Sequence, residues 1–540
     1  MTSLWLDRVH AKPYPTLELG LRFDHVIVGG GITGVTTALL LARGGASVAL
    51  LEARSLGAAA TGNTTAKVSL LQGTHLSSIA KKHSEATLRA YVEANRAGQR
   101  WLLGFCADHG IDIQRESAFT YAQTPSGTAR VEAEFAACRA AGLDADRVYE
   151  LELPFPTYGA VRVEGQAQFD PMAVLHGLAA NAESHGAVIF ENTRVVGVKG
   201  DVVHTEHGEI RAGSVVLATG TPILDRGGFF ARLEPQRSYA LAFEVPEPIQ
   251  RGMYLSADQP TRSLRYAPDP RGELLLVGGN GHVVGREPDT RSQVDDLIEW
   301  TQRYWPEAEL THQWSAQDYS PIDGLPYVGP LLPGSEHILV ATGYSKWGMT
   351  NGVAAALAIA GRAFGGGPEW AGVLESWRLR ELTGLATAAK ANGGVGLAMV
   401  SGWLRAGLHG DGPTPAEGAG TVRRTGLRPV ATCTVDGKTT TVSAICPHLY
   451  GIVAWNDAEK TWDCPLHGSR FSSDGSMLEG PATRPLTPRD RGTFIGWDGR
   501  CRPGVGRLDR KVPDPGTGGV EDGVRYRGCR ADDPDPARSA

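Results

Sequence analysis

Four residues of metal-binding type stand near the C-terminus in two short arms, Cys446-Pro-His448 and, 15 residues further on, Cys464-Pro-Leu-His467. Thiolates and neutral imidazoles together hold zinc or iron. A single tetrahedral zinc would be satisfied by two of each, but zinc fingers place a cysteine pair before a histidine pair on a helix. Here each arm mixes the two types. At the other end of the chain, Gly29-x-Gly31-x-x-Gly34 follows the apolar run FDHVIV and opens a small-residue helix, and the next apolar strand ends in Glu52. That order of strand, glycine turn, helix, strand and acid suits a dinucleotide. Gly29 permits the tight turn, Gly31 lets a pyrophosphate approach the backbone, and Gly34 lets helix pack on strand. The phosphates meet free N–H groups at the helix start, and Glu52 takes the ribose hydroxyls.

These two patterns need scaffolds. A chain of 540 residues exceeds one core, so several domains are expected. With 53 basic against 59 acidic residues the net charge is −6, which supplies no excess to neutralise phosphates and argues against nucleic-acid binding. Seven cysteines in no regular framework suit a reducing compartment in which selected thiols bind metal. The N-terminal MTSLWLDRVHAKPYP lacks the pattern of a secretion signal, and the apolar VGLAMVSGWL (395–404) is about half a membrane span, fit for an amphipathic or docking helix. The expectation is a cytoplasmic protein with no membrane span. Residues 80–150 read as mostly helical and then mixed, and short strands over 231–315 predict a second sheet. A composition rich in glycine and proline marks a linker at 409–421, and the tail 508–540 reads as disordered. One dinucleotide fingerprint fits NAD or FAD. The stretch GGNGHVVGR (278–286) has the wrong spacing for a second and is given no phosphate role.

Beyond the glycine fingerprint, the FDPMAVLHGLA block with Arg194-Val195-Val196, the VVLATG strand and the late D-GLPYVGP…ILVATGYSKWGMTNG segment resemble the FAD-dependent oxidases and dehydrogenases of the D-amino-acid-oxidase type, the glycine and sarcosine oxidase group. The resemblance covers most of residues 20–380. It implies an α/β FAD-binding domain of the Rossmann-like, glutathione-reductase type (about 20–80, 155–230 and 316–400) and an antiparallel-sheet substrate cap (about 81–154 and 231–315), together spanning 20–408. Implied FAD contacts are Gly29, Gly31, Gly34 and Glu52, Thr65 in the ATGNTTAK segment beneath the flavin, and the Val195 backbone at the adenine. Ala218, Thr219 and Gly220, and Gly343, Gly348, Met349 and Thr350 of the late turn, complete the set. Lys67, Tyr344, Lys346 and Trp347 are candidate catalytic residues near the flavin, because a lysine places positive charge where a reduced flavin develops negative charge. Arg237, Arg265 and Tyr266 are candidate anchors for a substrate carboxylate, which a guanidinium grips as a fork.

The C-terminal arms, with the flanks HLYG, CPLHGSRF and GPATRPL, resemble a Rieske [2Fe–2S] domain, an all-β unit expected over 422–507. The resemblance implies Cys446 and Cys464 on one iron and His448 and His467 on the other. Respiratory Rieske proteins carry a disulfide between the cluster loops. The matching positions here are Gly451 and Leu466, so no staple is expected. Ser469 matches a serine that donates to a bridging sulfide, but Phe471 stands where a tyrosine donor is usual. Fewer donors imply a potential toward the lower end of the roughly −150 to +300 mV Rieske range. A flavin domain followed by a Rieske domain resembles a known group of bacterial FAD-dependent oxidoreductases.

The function expected is a flavin dehydrogenase or oxidase. It takes hydride from a small organic substrate, an amine or amino acid, and exchanges single electrons with the cluster and an external partner, ferredoxin-like or a quinone. Alternatives are an electron-transfer or redox-sensing protein with no metabolite substrate, or a flavin enzyme driven reductively through the cluster.

Overall fold

The computed structural model describes residues 1–9, 13–17, 20–378, 381, 384–408, 412–426 and 428–489. The part of the cluster unit expected beyond 489, and the tail 508–540, lie outside the described residues. So do 409–411 of the expected linker, while a strand already begins at Gly420.

The chain first builds an eight-stranded sheet. Its path runs Tyr327–Pro330, Ile338–Thr342, Gly208–Leu217, Arg22–Val28, Val48–Leu51, Val188–Phe190; Val202–Thr205 pairs with Gly208–Leu217 off this path, and Val195–Lys199 pairs with Val202–Thr205. The central strand Arg22–Val28 is parallel to both neighbours. Val26, Ile27 and all of Val48–Leu51 are buried on both faces, which is why these segments read as unbroken apolar runs. Helix Ile32–Arg43 begins on Gly31, which offers no side-chain cap. The glycines here are steric necessities. Gly29 lies at φ +110° against the Ala218 carbonyl, and a methyl group on Gly34 would fall 1.9 Å from the Gly29 oxygen.

The second sheet has nine strands, ordered Glu309–Pro321, Leu233–Glu244, Gly272–Val283, Arg262–Asp269, Met253–Ser256, Ile113–Tyr121, Ala160–Phe169, Lys67–Val68, with Ala145–Val148 beside Ala160–Phe169. It is antiparallel except where Met253–Ser256 meets Ile113–Tyr121. The GGNGHVVGR stretch falls largely inside its strand Gly272–Val283. Of residues 80–150, helix Glu85–Asp108 matches the helical reading, but Ile113–Tyr121 is an interior strand of the sheet. That helix packs on Gly348–Ala363, where Gly98 admits the Thr350 carbonyl.

The C-terminal part is all β. A three-stranded sheet (Gly420–Thr425, Arg428–Val435, Lys438–Ser443) and a four-stranded one (Ala454–Asn456, Thr461–Asp463, Arg470–Ser472, Met477–Glu479) are both antiparallel. They enclose a small core of Cys433, Val442, Ala444, Trp462, Leu466, Phe471 and Leu486. Helix Leu385–Leu408 holds VGLAMVSGWL and docks on this core through Ala406, with Gly402 against Ile452. Among the described residues no helix is long and apolar enough to cross a membrane. All these sheets belong to one compact unit, Met1 to Arg491.

Candidate active site and metal centre

A cavity of about 720 Å³ runs between the two large sheets, a size that suits a cofactor and small ligand. Gly29, Gly30, Gly31, Glu52, Val195 and Ala218–Gly220 line one part of it. The Glu52 carboxylate accepts from the backbone N–H of Gly30 at 2.7 Å and of Arg54 at 2.9 Å, so it is held at the rim of the glycine turn. Thr61 Oγ1 accepts from Ile32 N at 3.0 Å beside the same helix start. Gly34 serves from behind, by packing on Gly29.

Lys67, Tyr344, Lys346 and Trp347 all line the cavity, as do Thr65, Gly348 and Met349. Lys67 Nζ donates to the Tyr254 carbonyl at 2.7 Å and to Ser263 Oγ at 2.6 Å. Burial, reinforced by the charge of Arg265, holds its pKa well below the ordinary lysine value. Ser345 and Lys346 both take left-handed backbone conformations, and the Lys346 N–H donates to the Asp318 carboxylate. Burial lowers the Lys346 ammonium and raises Asp318 to about 6, with each partly offsetting the other. Lys346 Nζ enters the space above Gly281 that any side chain there would fill. Tyr344 OH accepts from Thr33 Oγ1 at 3.1 Å, and Trp347 caps helix Gly348–Ala363. Two of the late-turn residues stand back from the wall. Gly343 forms the turn at φ +83° against Pro321, and Thr350 Oγ1 donates inward to Asn95 at 2.6 Å.

The three candidate anchors are engaged elsewhere, and none lines the cavity. Arg237 is 2% exposed, and its fork is filled by Glu459 at 2.5 and 2.6 Å. Glu459 also binds Arg470 at 2.8 Å, and Arg470 binds Asp463 and Glu479. This buried ion network joins the long sheet to the cluster-bearing part. Arg265 donates to the Thr65 carbonyl at 2.6 Å, while Trp5 and Trp314 take the carbonyls of Thr64 and Asn63. Three buried donors thus pin the ATGNTTAK segment, and Arg265 is one of them. Tyr266 OH donates to Glu116 at 2.7 Å.

Other lining residues carry no sequence signature. They include Asp318, Lys82 and His75, whose imidazole burial lowers to about 4 and so keeps neutral. Leu478, Glu479, Gly480, Ala482 and Thr483, from the C-terminal β part, also line this cavity.

The Cys/His arms form two loops closed by their own backbones. Cys446 N donates to Gly451 O and Cys464 N to Ser469 O, each at 2.8 Å. The thiols lie within hydrogen-bonding reach of one another, and the His448 and His467 rings stand perpendicular with centroids 5.1 Å apart. Nδ1 of both rings is buried without a hydrogen-bond partner. Burial, aided by the nearby Arg286 guanidinium, pushes His467 down to about 3, leaving it neutral and able to ligate. Among the described residues no three such donors converge on one point. Two thiols paired on one side and two unpartnered imidazole nitrogens on the other suit a dinuclear cluster better than one tetrahedral ion. At the place of the absent staple, a methyl group on Gly451 would lie 2.7 Å from Leu466 Cδ1, so the leucine fills the gap between the loops.

The two sites touch. Gln317 Nε2 donates to the Gly468 carbonyl at 2.8 Å, and Gln317 and Tyr319 both line the cavity.

Residues 24–362 match the family described as FAD dependent oxidoreductase, and residues 413–490 match the Rieske [2Fe-2S] domain. The "Putative Rieske 2Fe-2S iron-sulfur protein YhfW" of Bacillus subtilis (strain 168) is 31% identical over 90% of this chain and 97% of its own length. Glycine oxidase of Bacillus licheniformis is 26% identical over 61% of this chain and 89% of that protein. The crystal structure of glycine oxidase from Geobacillus kaustophilus superposes with a TM-score of 0.57 at 20% identity, covering 66% of this chain and 99% of that one.

Proposed function

The chain belongs to the FAD-dependent oxidoreductase family and carries a Rieske [2Fe–2S] domain, and on that premise we propose that it oxidises a small amine or amino acid and exchanges single electrons between its two cofactors. Its cofactors are FAD and the cluster. When bound, FAD would supply two-electron hydride acceptance from a C–H bond and the cluster one-electron transfer, with an external partner, ferredoxin-like or a quinone, to balance the reaction. In this reading residues 20–408 hold the flavin enzyme, and the module that begins near 422 holds the cluster.

The supporting observation is the shared wall: Leu478–Gly480, Ala482 and Thr483 face the same cavity as the glycine fingerprint. Gly29, Gly31 and Glu52 hold the dinucleotide. Lys67 and Lys346 set their ammonium-bearing side chains on the wall where negative charge develops. Tyr344 and Trp347 shape the turn beside them. With Arg237 and Arg265 engaged, Lys346 is a cation on the cavity wall beside that turn that can meet an anionic substrate group.

Anaerobic stopped-flow mixing with a panel of amines and amino acids tests the reading. At least one substrate bleaches the flavin band, and the cluster bands then change. If every amine fails while a reduced ferredoxin reduces the flavin rapidly, the protein is an electron carrier and the substrate reading falls.

A further inference from the structure

His448 is the only cluster ligand that reaches a carboxylate on the flavin-binding part among the described residues. Its Nε2 lies 2.5 Å from Asp225 Oδ1, while its Nδ1 is buried without a partner. The two nitrogens therefore have separate tasks: Nε2 carries the proton toward the carboxylate, and Nδ1 is left as the metal donor. The sister ligand has a different environment. His467 meets the positive field of Arg286, whose Nε donates to the neighbouring Pro465 carbonyl at 3.0 Å.

Asp225 arrives on a segment that already serves the cavity. Ala218–Gly220 and Ile223 line it, Asp225 follows two residues later, and Phe230 then sets its ring edge-on to both imidazoles at 6.4 and 5.4 Å. Left-handed glycines at 227 and 228 turn the chain between these contacts. The Asp225 side chain is half exposed, so the ion pair adds little to stability. A formal charge beside a ligand acts strongly on a metal centre all the same.

We propose that Asp225 is a positioning residue for the cluster: it accepts the Nε2 proton of His448, fixes Nδ1 toward iron, and lowers the reduction potential. One-electron reduction adds a negative charge to the cluster. A carboxylate fixed against its ligand disfavours that charge and favours the oxidised state. The effect has the same sign as the loss of the tyrosine donor at Phe471. The inference rests on the cluster and not on any substrate, so it stands or falls apart from the proposed reaction.

The test is an EPR-monitored redox titration of the full-length protein holding both cofactors, with Asp225→Asn and Asp225→Glu beside the parent. Asp225→Asn shifts the reduction equilibrium about tenfold toward the reduced cluster, about 59 mV upward for one electron. It also changes the nitrogen hyperfine coupling of one of the two ligand histidines. Asp225→Glu keeps the parent midpoint to within a third of that shift, and the flavin spectrum is unchanged in both. An unchanged midpoint in Asp225→Asn overturns the proposal. If Asp225→Asn fails to hold a cluster, the glutamate variant decides: a cluster at the parent midpoint supports the carboxylate's role, and loss of the cluster there too overturns it.

Discussion

The metal loops and the flavin cavity meet along one wall, yet they are fastened by opposite means. Each loop is closed by bonds within itself, Cys446 to Gly451 and Cys464 to Ser469, and carries its own ligands. The cavity's charged groups come from distant segments: Lys67 from the edge strand Lys67–Val68, Asp318 from Glu309–Pro321, and Lys346 from the turn before Gly348. Between the two lies a buried network in which Arg237 and Arg470 share Glu459. The difference teaches that the cluster site is a local object whose loss leaves the flavin part standing, whereas the cavity depends on long-range packing. The network couples the two.

The strongest challenge to that contrast is Cys464→Ser, which removes one of the two thiolate ligands. It abolishes the cluster's EPR signal while the flavin absorbance remains; loss of both cofactors together would show the loops are not self-contained. Next comes Glu459→Gln, which strips charge from between two buried guanidinium groups. It costs about 3–5 kcal/mol, read as a lowered urea midpoint. A cost below about 1 kcal/mol would remove the network from the account. Burial alone would raise the Glu459 carboxyl, but Arg237 and Arg470 outweigh it and hold it well below its ordinary 4.5. A depressed carboxylate contributes its full stability above the ordinary value and loses it as pH falls through the folded one. The parent therefore loses stability more steeply than Glu459→Gln below about pH 4.5, in denaturation series run at successive pH values. The smallest change is Lys346→Met, which slows substrate-dependent flavin reduction about 10²-fold with FAD still bound. An unchanged rate would leave Lys346 as packing.

The sequence speaks most clearly where the chemistry is local. Gly29, Gly31 and Gly34 are set by backbone clearance over one turn, and the Cys/His arms by two short loops, so their spacing and immediate flanks together are diagnostic. The anchors were less legible because a strand residue's task depends on its partners. Gln236, Ser238, Tyr239 and Ala240 line the cavity, while Arg237 among them sends its guanidinium to Glu459 instead. Arg265 shares its side with Ser263, but its guanidinium is consumed by the carbonyl of Thr65. Thr350 directly follows Met349 on the helix, but its hydroxyl turns away from the wall to Asn95. Asp225 carries no spacing at all, since its meaning arises only when the cluster loops fold against it.

Electron exchange inside one chain can be measured by reducing the flavin photochemically and following both cofactors, anaerobically, over a range of protein concentrations. The account predicts that the cluster bands bleach as the flavin band recovers, at a rate that does not change with concentration. A cluster that stays oxidised beside a reduced flavin, or a rate that scales with protein concentration, would contradict it.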